Sequence, residues 1–217
     1  MLSQGISNWQ NNMPQDNKIY FQGALRTIFP EGILFGSTIQ INGFQGTMSL
    51  TFEFLKEAQL SNKITALALI KEPGLAAAHE IGINLNNLLI FPKAKDALKE
   101  IKLLITAADV VAISQSALTT KLLIALSKTA KFSKSIVIVF NSTFLHNTQL
   151  LSKDIFDYQL LIKTIKWEGL GIESGFLKQR LVKITLTKDK YNRKPVSAYF
   201  WLPNSSGKFS LATNQEL

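Results

Sequence analysis

The chain has 217 residues, 46% of them hydrophobic, no cysteine, and a formal charge of +9 from 24 Lys+Arg against 15 Asp+Glu. That length and apolar content suit one domain with a real core, and the lack of cysteine excludes a disulfide framework, a thiolate metal site and a cysteine nucleophile. The basic excess favours an acidic partner such as nucleic acid. A basic segment leading into an apolar leader is not found, nor is a run of about 18 apolar residues, so the expectation is a cytoplasmic protein with no membrane partner.

In chain order, residues 1–18 are rich in Asn, Gln and Ser without an apolar period and read as a mobile arm. The domain is expected over 19–203, and 204–217 reads as a disordered tail. Residues 37–41 alternate like a strand and run into Gly43 and Gly46, whose freedom suits a tight turn. A helix is expected at once over 47–59, where Met48, Phe52, Leu55 and Ala58 recur at helical spacing. There follow a buried strand (63–70), a short helix (75–81), a strand (87–91) and a helix (95–107) with Leu98, Ile101 and Ile105 on one face. A strand (109–113), a helix (117–131) through Leu118, Leu122 and Ala125, and a strand (134–140) complete the alternation. Strands alternating with helices predict an α/β fold with a parallel sheet flanked by helices. After Phe140 the pattern changes, since 159–167, 180–187 and 196–202 are strand-like with no long helix between them. These predict antiparallel C-terminal strands at one sheet edge. In the middle one, Val182, Ile184 and Leu186 alternate with Lys183, Thr185 and Thr187, the pattern of one buried and one wet face.

A strand, a glycine turn and an immediate helix make the geometry in which backbone N–H groups cradle phosphate. A working phosphate loop needs G-x-x-x-x-G-K-[ST], with the Lys on the phosphates and the hydroxyl on Mg²⁺. Here the glycines Gly43 and Gly46 are two residues too close, Thr47 stands where the Lys belongs and Met48 where the hydroxyl belongs. The strand that would end in a metal-binding Asp ends in Ser114. No cofactor, no catalytic residue and no ATPase activity are therefore expected. His79 and His146 lack metal spacing and read as structural, and no metal site is expected.

The runs 35–43, 55–59, 76–90 and 108–113, followed by 180–190, Lys194-Pro195 and 199–202, resemble the bacterial recombinase RecA over roughly residues 24–203. Within that superfamily Trp167-Glu-Gly-Leu-Gly171, the segment 175–180 and Phe200-Trp-Leu-Pro203 resemble the ImuA group, above all its ATPase-degenerate ImuA-prime branch. The resemblance implies a RecA-like P-loop-type core with degenerate Walker motifs. It also implies an accessory role in SOS-linked translesion synthesis, where such proteins bind a Y-family polymerase-like mutasome subunit, with RecA or single-stranded DNA as further partners. A SulA-like division inhibitor and a RecA-type DNA-binding ATPase are the alternatives. The stretch 141–157 is short and carries Phe144, Leu145, Leu150 and Leu151, so strand exchange of the RecA kind is not expected.

The sharpest charge feature lies between 176 and 194, where Lys178, Arg180, Lys183, Lys188, Lys190, Arg193 and Lys194 face one acid, Asp189. With Trp167, Tyr191 and Tyr199 near, this hairpin is a candidate contact for DNA or a partner. The other reading is a solvated sheet edge whose lysines discourage aggregation. Trp167 itself is either a partner anchor or a cap on the core.

Overall fold

The computed structural model describes residues 17–43, 45–70, 72–93, 96–141, 154–169, 178–191, 193–204 and 206–213. In chain order its elements are β1 (Lys18–Ile19), β2 (Ile33–Leu34), β3 (Thr38–Gly43), α1 (Thr47–Leu60), β4 (Thr65–Ala68), α2 (Leu75–Glu80), β5 (Leu88–Phe91) and α3 (Ala97–Ala107). They continue with β6 (Val110–Ser114), α4 (Thr120–Ser133), β7 (Ile136–Phe140), β8 (Tyr158–Glu168), β9 (Gln179–Lys188), β10 (Val196–Trp201) and β11 (Ser210–Leu211).

One nine-stranded sheet runs β11-β10-β9-β8-β3-β7-β6-β4-β5. From β8 through β5 every neighbouring pair is parallel, whereas β8–β9, β9–β10 and β10–β11 are antiparallel. The α/β class, the helix-flanked parallel sheet and the antiparallel C-terminal edge thus stand as expected. β6 and β7 are buried along their whole length, because a parallel strand under helices on both faces has no wet side. One core lies between the sheet and α1 with α2, through Ile39, Ile41, Leu50, Leu55, Ala78 and Ile138. The other lies under α3 and α4, through Ile101, Ile105, Leu123, Leu126, Val111 and Val139.

The helix faces differ from expectation in detail. Leu98 is 40% exposed while Ile101 and Ile105 are buried, and beside the expected Leu118 and Leu122, which pack partly buried on the core, the fully covered residues of α4 are Leu123, Leu126 and Ala130. The β-strand beneath fixes which stripe is covered, and several stripes of these apolar helices satisfy the same spacing.

α1 is buried on nearly all sides. Its outer side is covered by residues 17–34, which the sequence pattern did not reveal. Phe21 and Phe29 pack on Phe54 with ring centroids 5.5 and 5.9 Å apart, both edge-on. The buried Glu57 carboxylate accepts the backbone N–H groups of Gln22 and Gly23 at 2.8 and 2.9 Å. A Cβ at Gly23 would collide with that carboxylate, so a side chain here would have to shift it.

The ends also differ from expectation. Lys18, placed in a mobile arm, pairs with Leu34 in the β1–β2 ribbon. Residues after Pro203, read as a disordered tail, form a turn in which Asn204 Oδ1 accepts the N–H groups of Ser206 and Lys208 at 3.0 and 2.8 Å. Phe209 then stacks on Phe200 at 4.9 Å and β11 pairs with β10. One Asx turn and one aromatic contact are enough to hold so short a strand. Residues 1–16 and 214–217, the rest of the expected arm and tail, lie outside the described residues, as do 142–153 with His146 and 170–177.

Candidate functional site

The glycine turn lies at the carboxyl end of β3, the side on which open α/β sheets place their ligands. Gly46 adopts a left-handed conformation (φ 86°) as the residue before α1, with no side chain capping the helix. That leaves first-turn N–H groups without intrahelical partners, the ordinary basis of an anion site. Two side chains of the protein lie at this turn. Thr47 Oγ1, in the first turn of α1, donates to the Asn141 carbonyl at 2.5 Å and is buried. From β9, the Arg180 guanidinium reaches the turn, its Nη2 2.8 Å from where a Cβ on Gly46 would stand.

Arg180 is 7% exposed. Its Nε donates to the Leu202 carbonyl at 2.8 Å, its backbone pairs with Leu202 and Pro203, and its guanidinium lies 5.0 Å from the Trp167 ring centre. Loss of water around it pushes its pKa down from the ordinary arginine value. Arg180 is therefore a correction to the surface-contact reading, because β9's alternation turns it inward with Val182 and Ile184. Trp167 is 38% exposed and packs on that arginine. Met48 is half-buried beside the core, and Gly43 packs so closely on β8 that a Cβ would stand 2.9 Å from the Ile162 carbonyl oxygen. Ser114 is buried at the end of β6 with its Oγ 3.0 Å from that of Ser116. Among the described residues no three His, Cys, Asp or Glu side chains converge to hold a metal ion. His79 is exposed on α2.

The seven basic residues of the hairpin do not form one patch. β9 is ten residues long, so its ends lie roughly 30 Å apart at the usual strand rise. Lys178 and Arg180 belong to one end, beside Glu168 and Trp167. Lys188, Lys190, Arg193 and Lys194 belong to the other. There Lys190 Nζ lies 3.9 Å from Asp157, and Arg193 binds Asp189 at 2.6 Å and Glu31 at 3.3 Å. The Asp189 hydrogen bond raises the Arg193 pKa above its ordinary value. Lys190 and Arg193 are thus committed to ion pairs within the chain, while Lys194 is exposed.

Only Lys183 lies in the middle of the strand, and it has neighbours that the local charge run did not indicate. It stands directly opposite Lys163 of β8 on one side and Tyr199 of β10 on the other. Its Nζ is 5.7 Å from the Tyr199 ring centre, and one rung along Lys166 sits 5.4 Å from that of Trp201. Neither Lys163 nor Lys183 has an acidic partner among the described residues. Like charges directly opposite in an antiparallel pair oppose the pairing. Cross-strand register, which the sequence does not display, is what assembles this face.

The fold and these sites define an open α/β protein whose glycine turn, at the start of α1, is flanked by the chain's own threonine and arginine. It belongs to the family described as the MT3502 N-terminal domain, whose model matches residues 27–144, from the segment before β2 to just beyond β7. No curated protein matches the chain.

Proposed function

We propose that this chain is a non-catalytic adaptor on a RecA-like, P-loop-type core, of the ImuA-prime kind. It would serve translesion synthesis after DNA damage by binding a Y-family polymerase-like subunit. The observation that supports this most is the state of the glycine turn. The Thr47 hydroxyl is spent on a backbone carbonyl and is not offered to Mg²⁺ or phosphate, and the cation beside Gly46 is a buried arginine from β9 held by the Leu202 carbonyl rather than a lysine of the turn itself. The acid that would hold Mg²⁺ is replaced by a serine bonded to a serine. Titration calorimetry with ATP and Mg²⁺ should give no binding heat and no thermal stabilisation, and saturable heat would restore the ATPase alternative. Pull-down with the polymerase-like subunit should capture this chain, and failure under conditions that capture a known pair removes the adaptor reading.

A second reading, direct contact with single-stranded DNA, is favoured by the facing Lys163 and Lys183 beside Tyr199. A phosphate bridging two lysines removes their repulsion, and an aromatic ring next to them offers a stacking surface. It predicts salt-dependent binding of an oligonucleotide that charge reversal at both lysines weakens and flattens.

A further inference from the structure

A cavity of about 410 Å³ opens between α1, α2 and the turn after β10, within the size range of pockets that hold ligands. Its floor is apolar, with Met48 and Phe52 from α1 and Leu202 and Phe209 from the C-terminal turn. The stacking of Phe209 on Phe200 ties that last wall to the sheet, so it is built rather than hanging free. Gly74 and Gly207 mark the mouth, and nothing stands within 4 Å of where a Cβ on either would lie.

The rim is acidic. Glu53, Glu72 and Glu80 line the cavity, the last two at its exposed edge, against one lining cation, Lys208, in a chain whose overall charge is +9. Glu53 is nearly fully buried and held by Lys56 of the same helix. Glu72 and Glu80 are exposed and form no ion pair among the described residues. A basic protein has cations in excess to neutralise its carboxylates, yet at this cavity the two exposed carboxylates face one lysine among the described lining residues. That local imbalance matches a cationic ligand, and the floor beneath it matches an apolar group that leaves water.

We infer that this cavity is a docking site for a partner protein's peptide segment that carries a large apolar anchor side chain flanked by Lys or Arg. The anchor fills the floor and the flanking cations meet Glu72 and Glu80. This deepens the adaptor reading and rests on it, since it names the chemistry of the segment an adaptor would hold. The site lies within the family-matched span through α1 and α2, but its far wall comes from residues 202–209, beyond that span.

The test uses the full chain and three short synthetic peptides followed by fluorescence anisotropy. One has a Phe anchor flanked by Arg, the second the same anchor flanked by Glu, and the third the Arg residues with Ser in place of the anchor. The first should bind saturably and the other two at least about tenfold more weakly. Ala77→Trp, at an exposed position of α2 that lines the cavity, should block the floor, and Glu72→Lys with Glu80→Lys should reverse the rim; each should weaken the first peptide by about tenfold or more. Circular dichroism and the melting temperature check that both variants remain folded. No saturable binding, equal binding of all three peptides, or binding untouched by both variants overturns the inference. Pull-down of the polymerase-like subunit separates it from the adaptor reading. Capture by wild type and by Ala77→Trp alike keeps the adaptor and removes the docking site, whereas peptide binding without capture keeps the site and removes that partner.

Discussion

The parallel part of the sheet, β3 to β7, and the antiparallel ribbon, β8 to β11, solve the same burial problem differently. In the parallel part helices cover both faces, so β6 and β7 are buried throughout and apolar except for Ser114 at the end of β6. In the ribbon one face carries Leu160, Ile162, Val182, Ile184 and Phe200 to the core, and the other presents Lys163, Lys183, Thr185 and Ser197. The first arrangement leaves little freedom to vary, while the second leaves its outer face, apart from the small cluster of Leu181, Trp201 and Ala212, free to take on charge. The family match covers the first and stops before the second.

The largest effect expected from this contrast is on stability. Ile138→Ala, in a strand buried on both faces, should lower unfolding free energy by about 2–5 kcal/mol, and Thr185→Ala, on the ribbon's outer face, by no more than about 0.5 kcal/mol. Urea midpoints of the two variants measure the difference. Equal losses would mean that the ribbon's outer face is as tightly packed as the core.

An intermediate effect should come from Glu53, a carboxylate buried in α1. Burial pushes its pKa up, with the nearby Glu57 charge adding to this and Lys56 opposing it. The folded state then holds its proton to higher pH than the unfolded chain does. Stability is therefore lost as pH rises from the ordinary glutamate range through the raised value. Glu53→Gln should melt higher than wild type at neutral pH, with the advantage fading in acid. Melting curves across that range check it, and a variant less stable at neutral pH would mean that the Lys56 pairing outweighs the burial.

The smallest effect is at the ribbon's facing lysines. Lys163→Glu turns a repulsive cross-strand pair into an attractive one, for a gain of about 0.2–1 kcal/mol that shrinks in high salt. If the same change also abolishes oligonucleotide binding, stability and function pull in opposite directions at one position.

The order of strands and helices was legible because hydrophobic period and glycine punctuation are local properties. The strand, turn and helix around the glycines were legible for the same reason: Gly43 ends β3, Gly46 precedes α1 and Ser114 ends β6. What could not be read is whatever depends on register. Arg180 and Lys183 look equivalent in a charge run, yet three positions along one strand put the first inward against Gly46 and the second outward against Lys163. Residues 17–34 gave no periodic signal because their hold on α1 consists of ring contacts and two backbone hydrogen bonds to Glu57.

Strand order carries one more consequence. β3 lies inside the sheet with β7 on one side and β8 on the other, and β8 begins fourteen residues after the family match ends. A fragment cut to residues 27–144 would leave the β8-facing side of β3 with bare backbone donors and acceptors, open to any neighbouring chain. Similarity and cooperative folding therefore have different boundaries in this protein, and a soluble expression product has to follow the second.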